Sequence, residues 1–352
     1  MNEQENSVRR PRLGFLGTGW IGQHRMRRIR ESGMAEIAFL CDTSAEMLAQ
    51  ARQAVPDVRV TSTFEELLRA DLDGVVIATP SALHAEQTMR ALERGIAVFC
   101  QKPLGRNAGE VAEVIRAAQS ANKLLAVDLS YRFTQGMKKI VETLSAGDIG
   151  DVYAGDLVFH NAYGPDKAWF YDPRLSGGGC VIDLGIHLVD LALWALGFPQ
   201  VNAISSYLFA AGKPIEEGQV EDYATVTLQL SSGAVVRIAC SWRLAVGSEA
   251  VISAAFYGTH GGLEFRNVNG SFYDFVAEQF RGTSRTILAS PPDNWGGRAA
   301  IAWATQLGSN SSFDPAVGHL TDVAGVLDEI YIRGRKNPRH PGQWEAVPVR
   351  SS

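Results

Sequence analysis

Over the first 130 residues, short continuous apolar runs alternate with patterns of helical period. Parallel strands buried on both faces have continuous apolar sequences, whereas amphipathic helices repeat apolar residues every three or four positions. The runs 13–16, 37–40, 74–78, 97–100 and 124–127 are predicted as strands, and 82–94 and 108–122 as helices. This alternation predicts an α/β fold with an N-terminal Rossmann domain over residues 1–130, built on a parallel sheet and preceded by a disordered tail at 1–10.

The pattern changes after about residue 130. A helical pattern at 135–146 precedes a strand pattern at 152–159, a glycine-rich loop and an apolar helix at 181–194. Strand patterns recur at 201–207, 223–230, 234–241, 250–257 and 262–266, with Ser231-Ser232-Gly233 as a hairpin turn. A closing helix at 321–333 precedes a proline-containing tail. We therefore predict a second domain of α+β type over residues 131–352, with a largely antiparallel sheet.

Composition narrows the classes of partner. The chain has 352 residues, of which 46% are hydrophobic and 20% charged, as in a globular protein long enough for two domains. The net charge of −5 offers no basic surface for nucleic acid, and we interpret the arginines of the first helix as a solvated face: Arg25, Arg27, Arg28 and Arg30. No run reaches the ~20 apolar residues of a membrane span. We expect neither nucleic acid nor a membrane as a partner.

The four cysteines, Cys41, Cys100, Cys180 and Cys240, lie far apart in sequence among apolar or small neighbours. They form no CxxC pair, which would indicate a redox or metal motif. The pattern predicts reduced core thiols in a cytoplasmic protein.

A glycine-rich turn follows the first predicted strand and opens the first helix. Its residues are Gly17, Thr18, Gly19, Trp20, Ile21 and Gly22. Glycines at this spacing let the chain turn sharply, bring backbone N–H groups close to a pyrophosphate and pack helix against strand. The spacing alone is weak in a glycine-rich chain, so the flanking strand and helix carry the prediction of a dinucleotide-binding turn.

Asp42 lies twenty residues beyond the last glycine of this turn, at the end of the second predicted strand. A carboxylate there accepts hydrogen bonds from the adenosine ribose and repels a 2′-phosphate, which favours NAD over NADP. The alternative is a loop aspartate that caps the helix after Ser44. Thr43 and Ser44 could also hydrogen-bond a phosphate, so NADP stays open as the second choice.

Lys102 lies between Gln101 and Pro103 at the carboxyl end of the strand 97–100, where ligands bind in parallel sheets. A lysine there can act as an acid or base, or it is simply a surface lysine in a turn. Asp183 and His187, four residues apart, share one face of the predicted helix that follows the glycine loop. The spacing fits a metal pair, a structural hydrogen bond or catalytic groups. No third metal ligand is evident, so we predict no metal.

Together these motifs resemble the glucose-fructose oxidoreductase/inositol dehydrogenase/rhizopine catabolism family, known as Gfo/Idh/MocA. The resemblance runs from the glycine turn through the segments 78–84 and 101–104 to the segment 177–187. It implies a Rossmann domain followed by an open-faced antiparallel sheet domain, whose sheet commonly forms homodimer or homotetramer contacts. It also implies an NAD(P)-dependent dehydrogenase that acts on CH–OH groups.

The resemblance assigns roles to individual residues. Lys102 matches the lysine of the family's Glu-Lys-Pro signature, and Asp183 and His187 match its substrate-contacting aspartate and histidine. We favour Lys102 over His187 as the acceptor of the hydroxyl proton, with Asp183 as the orienting group. The resemblance further implies a cis peptide before Pro103.

Gln101 departs from the family's usual glutamate. An amide still binds a ribose hydroxyl, but one negative charge near Lys102 is lost, and we expect an easier deprotonation of that lysine. The loop with Thr79, Pro80 and His84 lies beside the nicotinamide in the family. For His84 a purely structural hydrogen bond is an equal alternative.

Substrate contacts are predicted from the segment before the glycine loop. His160, Trp169 and Tyr171 offer a polar group and two aromatic faces suited to a sugar, although the aromatics could also anchor a packed loop. Arg132 is predicted as an interdomain ion-pair partner rather than a substrate contact. No arginine cluster indicates a carboxylate or phosphate, so the expected substrate is a neutral sugar, inositol or related polyol.

Three other functions fit the resemblance. One is a glycoside-processing enzyme in which bound NAD is reduced and reoxidised within each cycle. Another is an oxidoreductase of trans-dihydrodiols or other carbonyls. The third is a non-catalytic regulator that senses NAD or a sugar, against which the joint presence of Lys102, Asp183 and His187 argues.

Overall fold

The computed structural model describes residues 9–335 and contains two sheets. The first is a six-stranded parallel sheet in the order β3-β2-β1-β4-β5-β6. Its strands are β1 Arg12–Leu16, β2 Glu36–Cys41, β3 Arg59–Thr61, β4 Gly74–Ile77, β5 Ala97–Cys100 and β6 Leu125–Val127. The strand order reverses between β1 and β4, and this reversal creates a crevice at the carboxyl ends of the strands. The predicted Rossmann domain is confirmed.

Helices cover both faces of this sheet: α1 Trp20–Ser32, α2 Ala45–Ala54, α3 Phe64–Leu68, α4 Ser81–Glu93 and α5 Ala108–Ala121. Local sequence explains several of their ends. The side chains of Ser44 and Asn107 accept hydrogen bonds from backbone N–H groups in the first turns of α2 and α5, and Asn122 ends α5 in the left-handed conformation.

The second sheet has nine strands in the order β15-β14-β13-β12-β7-β11-β10-β8-β9. They are β7 Val152–Asn161, β8 Val201–Ala210, β9 Lys213–Pro214, β10 Tyr223–Leu230, β11 Val235–Ser241, β12 Ala250–Gly258, β13 Gly261–Asn267, β14 Phe275–Arg281 and β15 Ser284–Ala289. Among these, β7 and β11 pair in parallel and the other neighbours are antiparallel. The predicted largely antiparallel sheet is confirmed.

One face of the second sheet packs against helices, and the other is open within residues 9–335. The helices are α6 Gln135–Ser145, α8 Ile186–Ala195 and α10 His319–Arg335. The short helix α7 Pro173–Ser176 packs against α4 instead. The stretch 173–195 is long and apolar enough for a membrane span, but 89% of its most apolar window is buried in the protein. It is therefore packed as a core helix.

Some elements were not predicted, because their local patterns are weak. They are β3, β9, β14, β15, the short helices α3 and α7, and helix α9, Arg298–Ser309. Trp303 and Leu307 of α9 pack with Leu13 and Phe15, so the chain returns from the second sheet to the core of the first. Of the predicted tail 1–10, residues 1–8 lie outside the described residues, and Arg9 pairs with Asp73. The C-terminal tail after residue 335 also lies outside them.

Candidate active site

A cavity of about 660 Å³ opens where the carboxyl ends of β1, β4 and β5 face the second domain. Most of the predicted site residues line it: Gly19, Trp20, Ile21, Thr79, Pro80, His84, Gln101, Lys102, Trp169, Asp183 and His187. The remaining predicted cofactor residues lie outside this lining and belong to the glycine turn or contact it: Gly17, Thr18, Gly22 and Asp42. The fold thus brings the cofactor motif and the predicted catalytic residues to one cavity.

The glycine turn has the backbone geometry that a dinucleotide requires. Gly17 has a φ of +89°, and a Cβ atom there would lie 2.5 Å from the carbonyl oxygen of Ala78. Any side chain would therefore be both strained and in collision with the end of β4. Gly19 begins α1 without a side-chain cap, and the first turn holds no acidic residue. The N–H groups there remain available to an anionic diphosphate, so this turn fits the dinucleotide.

Asp42 directly follows β2 and forms hydrogen bonds with the glycine turn. Its carboxylate accepts hydrogen bonds from the Thr18 backbone N–H at 2.6 Å, the Thr18 hydroxyl at 3.0 Å and the Ser44 N–H at 2.9 Å. The carboxylate is partly exposed. Its hydrogen bond to the adenosine ribose stays a prediction.

Lys102 and Asp183 form an ion pair across the cavity. The Lys102 Nζ atom lies 2.6 Å from Asp183 Oδ1 and 2.7 Å from the Asp183 carbonyl oxygen. The indole N–H of Trp242 donates to Asp183 Oδ2 at 3.0 Å. The two charged side chains are 22% and 17% exposed, so both can be reached from the cavity. The peptide bond between Lys102 and Pro103 is cis.

His187 follows Asp183 through a π-helical turn, Val181–Gly185, that leads into α8. Its ring packs edge-on against Tyr131, with centroids 5.0 Å apart, and no hydrogen bond joins it to Asp183 within the described chain. Burial, followed by the charges of Lys102 and Arg25, holds the pKa of His187 well below its ordinary value. The imidazole is therefore neutral at pH 7.

This shift predicts a loss of stability in mild acid. Because the folded pKa of His187 lies below the unfolded value of 6.5, the unfolded chain binds more protons as the pH falls through that value. When the pH falls from 7.5 to 5.5, a histidine that stays neutral in the folded protein lowers the free energy of unfolding by about 1.4 kcal/mol. We expect His187→Asn to flatten that dependence in urea unfolding curves, and replacement of the exposed His260 by Asn to leave it unchanged. Parallel curves for all three proteins would contradict the assignment.

Glu221 accepts hydrogen bonds at the start of the helical segment that carries Asp183. The sequence pattern did not indicate this role of Glu221. Its buried Oε1 atom accepts hydrogen bonds from the N–H groups of Gly179 and Val181 and from the Tyr331 hydroxyl, at 3.0, 2.8 and 2.8 Å. A Cβ atom on Gly179 would lie 1.9 Å from the Glu221 carbonyl oxygen, so this close approach requires glycine. Burial raises the pKa of Glu221.

Glu221→Leu is expected to lower the free energy of unfolding by about 3 kcal/mol or more, because three buried donors lose their acceptor. Glu221→Gln keeps an amide oxygen for those donors, and its effect should stay below about 1 kcal/mol. Urea unfolding of the three proteins side by side checks this. Equal losses in both variants would indicate that the negative charge, rather than the shared acceptor atom, stabilises the loop.

A buried polar network lies behind Gln101. The Arg25 Nε–H donates to Asp128 Oδ2 at 2.6 Å, and the Gln101 amide donates to the same oxygen at 2.7 Å. Ser130 donates to Asp128 Oδ1 at 2.8 Å. The expectation of a solvated arginine face is therefore wrong for Arg25, which is buried, because Asp128 supplies a partner from 103 residues away. Arg27 and Arg30 are exposed as predicted.

His84 is fully buried and joins two loops of the cavity wall. Its Nδ1 and Nε2 atoms lie 2.7 Å from the carbonyl oxygens of Pro103 and Thr79 respectively. Burial lowers the pKa of His84, although both backbone contacts oppose that shift. These contacts fit the structural alternative and fix the backbone next to Lys102.

Two predicted substrate contacts, His160 and Tyr171, lie outside the cavity lining. His160 accepts or donates a hydrogen bond with the Ser241 hydroxyl at 2.7 Å and stacks on Tyr223. Tyr171 donates to the Pro165 carbonyl at 2.9 Å. The structure therefore brings neither His160 nor Tyr171 to the cavity, because local partners hold both side chains. Arg132 forms an ion pair with Asp190 of α8, which belongs to the same predicted domain, so the expectation of an interdomain pair is wrong.

The four cysteines are buried and free, and Cys180 and Cys240 approach to 3.8 Å between sulfur atoms. Residues 9–335 contain no group of three or more histidine, cysteine, aspartate and glutamate side chains arranged to hold a metal ion.

Two family models match this chain. Residues 11–129 match the model described as "Oxidoreductase family, NAD-binding Rossmann fold", and residues 137–264 match the "GFO/IDH/MocA C-terminal domain". The chain belongs to the GFO/IDH/MocA family. Membership confirms the predicted oxidoreductase class and the NAD-binding Rossmann domain.

Members of the GFO/IDH/MocA family with curated names are similar to this chain over most of its length. D-glucoside 3-dehydrogenase of Escherichia coli is 28% identical over 269 residues, which cover 71% of this chain and 76% of the relative. Inositol 2-dehydrogenase 4 of Saccharopolyspora erythraea is 27% identical, covering 91% and 94%. The structure of levoglucosan dehydrogenase in complex with NADH superposes with a TM-score of 0.80 at 20% identity, covering 93% of this chain and 97% of that one. That likeness shows the fold.

Proposed function

We propose that this protein transfers a hydride between NAD and a secondary hydroxyl or ketone of a sugar, inositol or related polyol. The observation that carries the proposal is the Lys102–Asp183 ion pair, which faces the same cavity as the uncapped glycine turn. An acid/base group and a dinucleotide turn in one cavity are what hydride transfer at an alcohol requires.

In this proposal each side chain has one task. When bound, the nicotinamide accepts the hydride from the alcohol carbon or returns it to the ketone. Lys102 in its neutral amine form takes the hydroxyl proton during oxidation, and the ammonium so formed gives that proton back during reduction. Asp183 fixes the Lys102 ammonium, and Trp242 fixes Asp183. The neutral imidazole of His187 lines the same cavity and orients the substrate by hydrogen bonding.

The lining of the cavity favours a neutral, hydroxylated substrate. Trp169, Tyr273 and Trp295 offer faces on which sugar C–H groups stack. Arg25 lines the cavity too, but Asp128, Ser130 and His24 occupy its guanidinium. It is therefore not free to bind a substrate carboxylate or phosphate. The names of the curated relatives, a glucoside and an inositol dehydrogenase, support the same class.

The proposal includes a cytoplasmic homodimer or homotetramer. The four reduced, buried thiols support the compartment. The open face of the nine-stranded sheet supports self-association, because it exposes large apolar side chains such as Tyr207 and Val235.

The deciding experiment measures NADH or NADPH formation at 340 nm from a panel of glucosides, inositols and sugar-derived anhydrides. We expect turnover of at least one of these with NAD exceeding that with NADP. Product formation without a change at 340 nm would indicate internal redox cycling of bound NAD instead. Absence of product from every substrate, together with calorimetric binding of NAD, would support the non-catalytic regulator.

A further inference from the structure

Lys167 of the second domain reaches the glycine turn of the first. It lies in the segment 162–172, which connects β7 to α7 and forms one wall of the cavity. The Nζ atom of Lys167 lies 4.0 Å from the position that a Cβ atom on Gly19 would occupy. Gly19 is the residue that precedes α1, so this ammonium group lies beside the N-terminus of the helix.

Two positive groups therefore lie close together, the Lys167 ammonium and the N–H groups at the start of α1, and of the N–H groups in the turn Asp42 binds that of Thr18. The N-terminus of a helix carries a partial positive charge, and a neighbouring cation is unfavourable unless negative charge lies close to both. The first turn of α1 supplies none. Within residues 9–335 Lys167 forms no ion pair, although Asp166 lines the same cavity. The arrangement is that of an anion site whose anion comes from outside the chain.

The backbone of this segment is held in place. The Tyr171 hydroxyl donates to the Pro165 carbonyl at 2.9 Å and accepts a hydrogen bond from Arg243 at 3.0 Å. The Phe170 N–H donates to the Lys167 carbonyl at 3.2 Å, and Trp169 stacks on Phe170 with centroids 3.8 Å apart. These contacts fix the backbone of Lys167 relative to the cavity, while its side chain is exposed.

We propose that Lys167 binds the diphosphate of the dinucleotide, so that the second domain contributes directly to cofactor affinity. This rests on dinucleotide binding at the glycine turn. The diphosphate would be held by backbone N–H groups of α1 on one side and by the Lys167 ammonium on the other. A phosphate carried by the substrate has the same chemistry, but Lys167 lies beside the turn that suits the dinucleotide, and this position favours the cofactor.

The test uses the full chain and measures binding rather than turnover. Dissociation constants for NAD, ADP-ribose and adenosine are determined by calorimetry or by displacement for the unaltered protein, Lys167→Met and Lys167→Arg. Lys139→Met is the matched control, because Lys139 pairs with Glu142 on the surface of α6. Thermal unfolding verifies that every variant is folded.

Lys167→Met is expected to weaken ADP-ribose binding about fivefold, the upper range for an exposed ion pair, and to leave adenosine binding unchanged. Its affinity should also depend less steeply on salt. Lys167→Arg and Lys139→Met should bind as the unaltered protein does.

Equal ADP-ribose affinity in Lys167→Met and the unaltered protein would overturn the proposal, as would an equal weakening of adenosine. Loss of affinity confined to a sugar phosphate would assign Lys167 to the substrate and also overturn it. If the unaltered protein bound neither NAD nor ADP-ribose, the proposed function would fail as well, so the two failures are distinguishable.

Discussion

Replacement of Lys102 by methionine is expected to lower kcat by about 10²- to 10⁴-fold, the range for removal of a general acid or base. The Lys102 ammonium contacts Asp183 through both the carboxylate and the carbonyl oxygen, and the pair faces the cavity. Methionine keeps the length of the side chain but can neither hold nor move a proton. Steady-state kinetics on the substrate identified in the panel, with NAD binding measured separately, checks the prediction.

Two further variants separate proton transfer from charge. Lys102→Arg keeps a cation beside Asp183 but cannot release its proton at the pH of the reaction. We therefore expect it to be nearly as inactive as Lys102→Met. His187→Asn should reduce kcat less, because the neutral imidazole serves orientation. A Lys102→Arg variant with high activity would contradict proton transfer by Lys102 and move that role to His187.

The parts of the site that sequence predicts are those that local pattern determines. The glycine turn from Gly17 to Gly22 lies between a strand and a helix, and its conformation depends on neighbours in sequence. Lys102 follows a buried strand of a parallel sheet, where the topology itself directs side chains to the ligand edge. Sequence pattern therefore placed both at the ligand edge of the sheet, while the acid/base role of Lys102 rests on the family resemblance and stays a prediction.

The parts that sequence misses depend on contacts between distant segments. Trp242 reaches Asp183 from 59 residues away, and Glu221 reaches Val181 from 40 residues away. Each looks like an ordinary residue at a strand end, since no local pattern encodes its partner. The π-helical turn through Asp183 is likewise invisible to a helical period of 3.6 residues. His160 shows the opposite error, a polar side chain of suitable chemistry that Ser241 holds outside the cavity lining.

Arg25→Met is expected to lower the free energy of unfolding by about 3–5 kcal/mol, because it leaves the buried charge of Asp128 without its cation. Asp128 and Arg25 have side chains that are 1% and 7% exposed, so solvent cannot replace the lost partner. Gln101 and Ser130 would still donate to the carboxylate, but neither carries charge. Urea unfolding followed by tryptophan fluorescence measures the loss.

Arg27→Met is the matched control, since Arg27 is an exposed arginine of the same helix, and its effect should remain within about 0.5 kcal/mol. The double variant Arg25→Met/Asp128→Asn removes both charges and should recover part of the lost stability. The network also holds Gln101, the residue before Lys102, so Arg25→Met should reduce kcat as well. Equal stability of Arg25→Met and Arg27→Met would contradict a stabilising ion pair between Arg25 and Asp128.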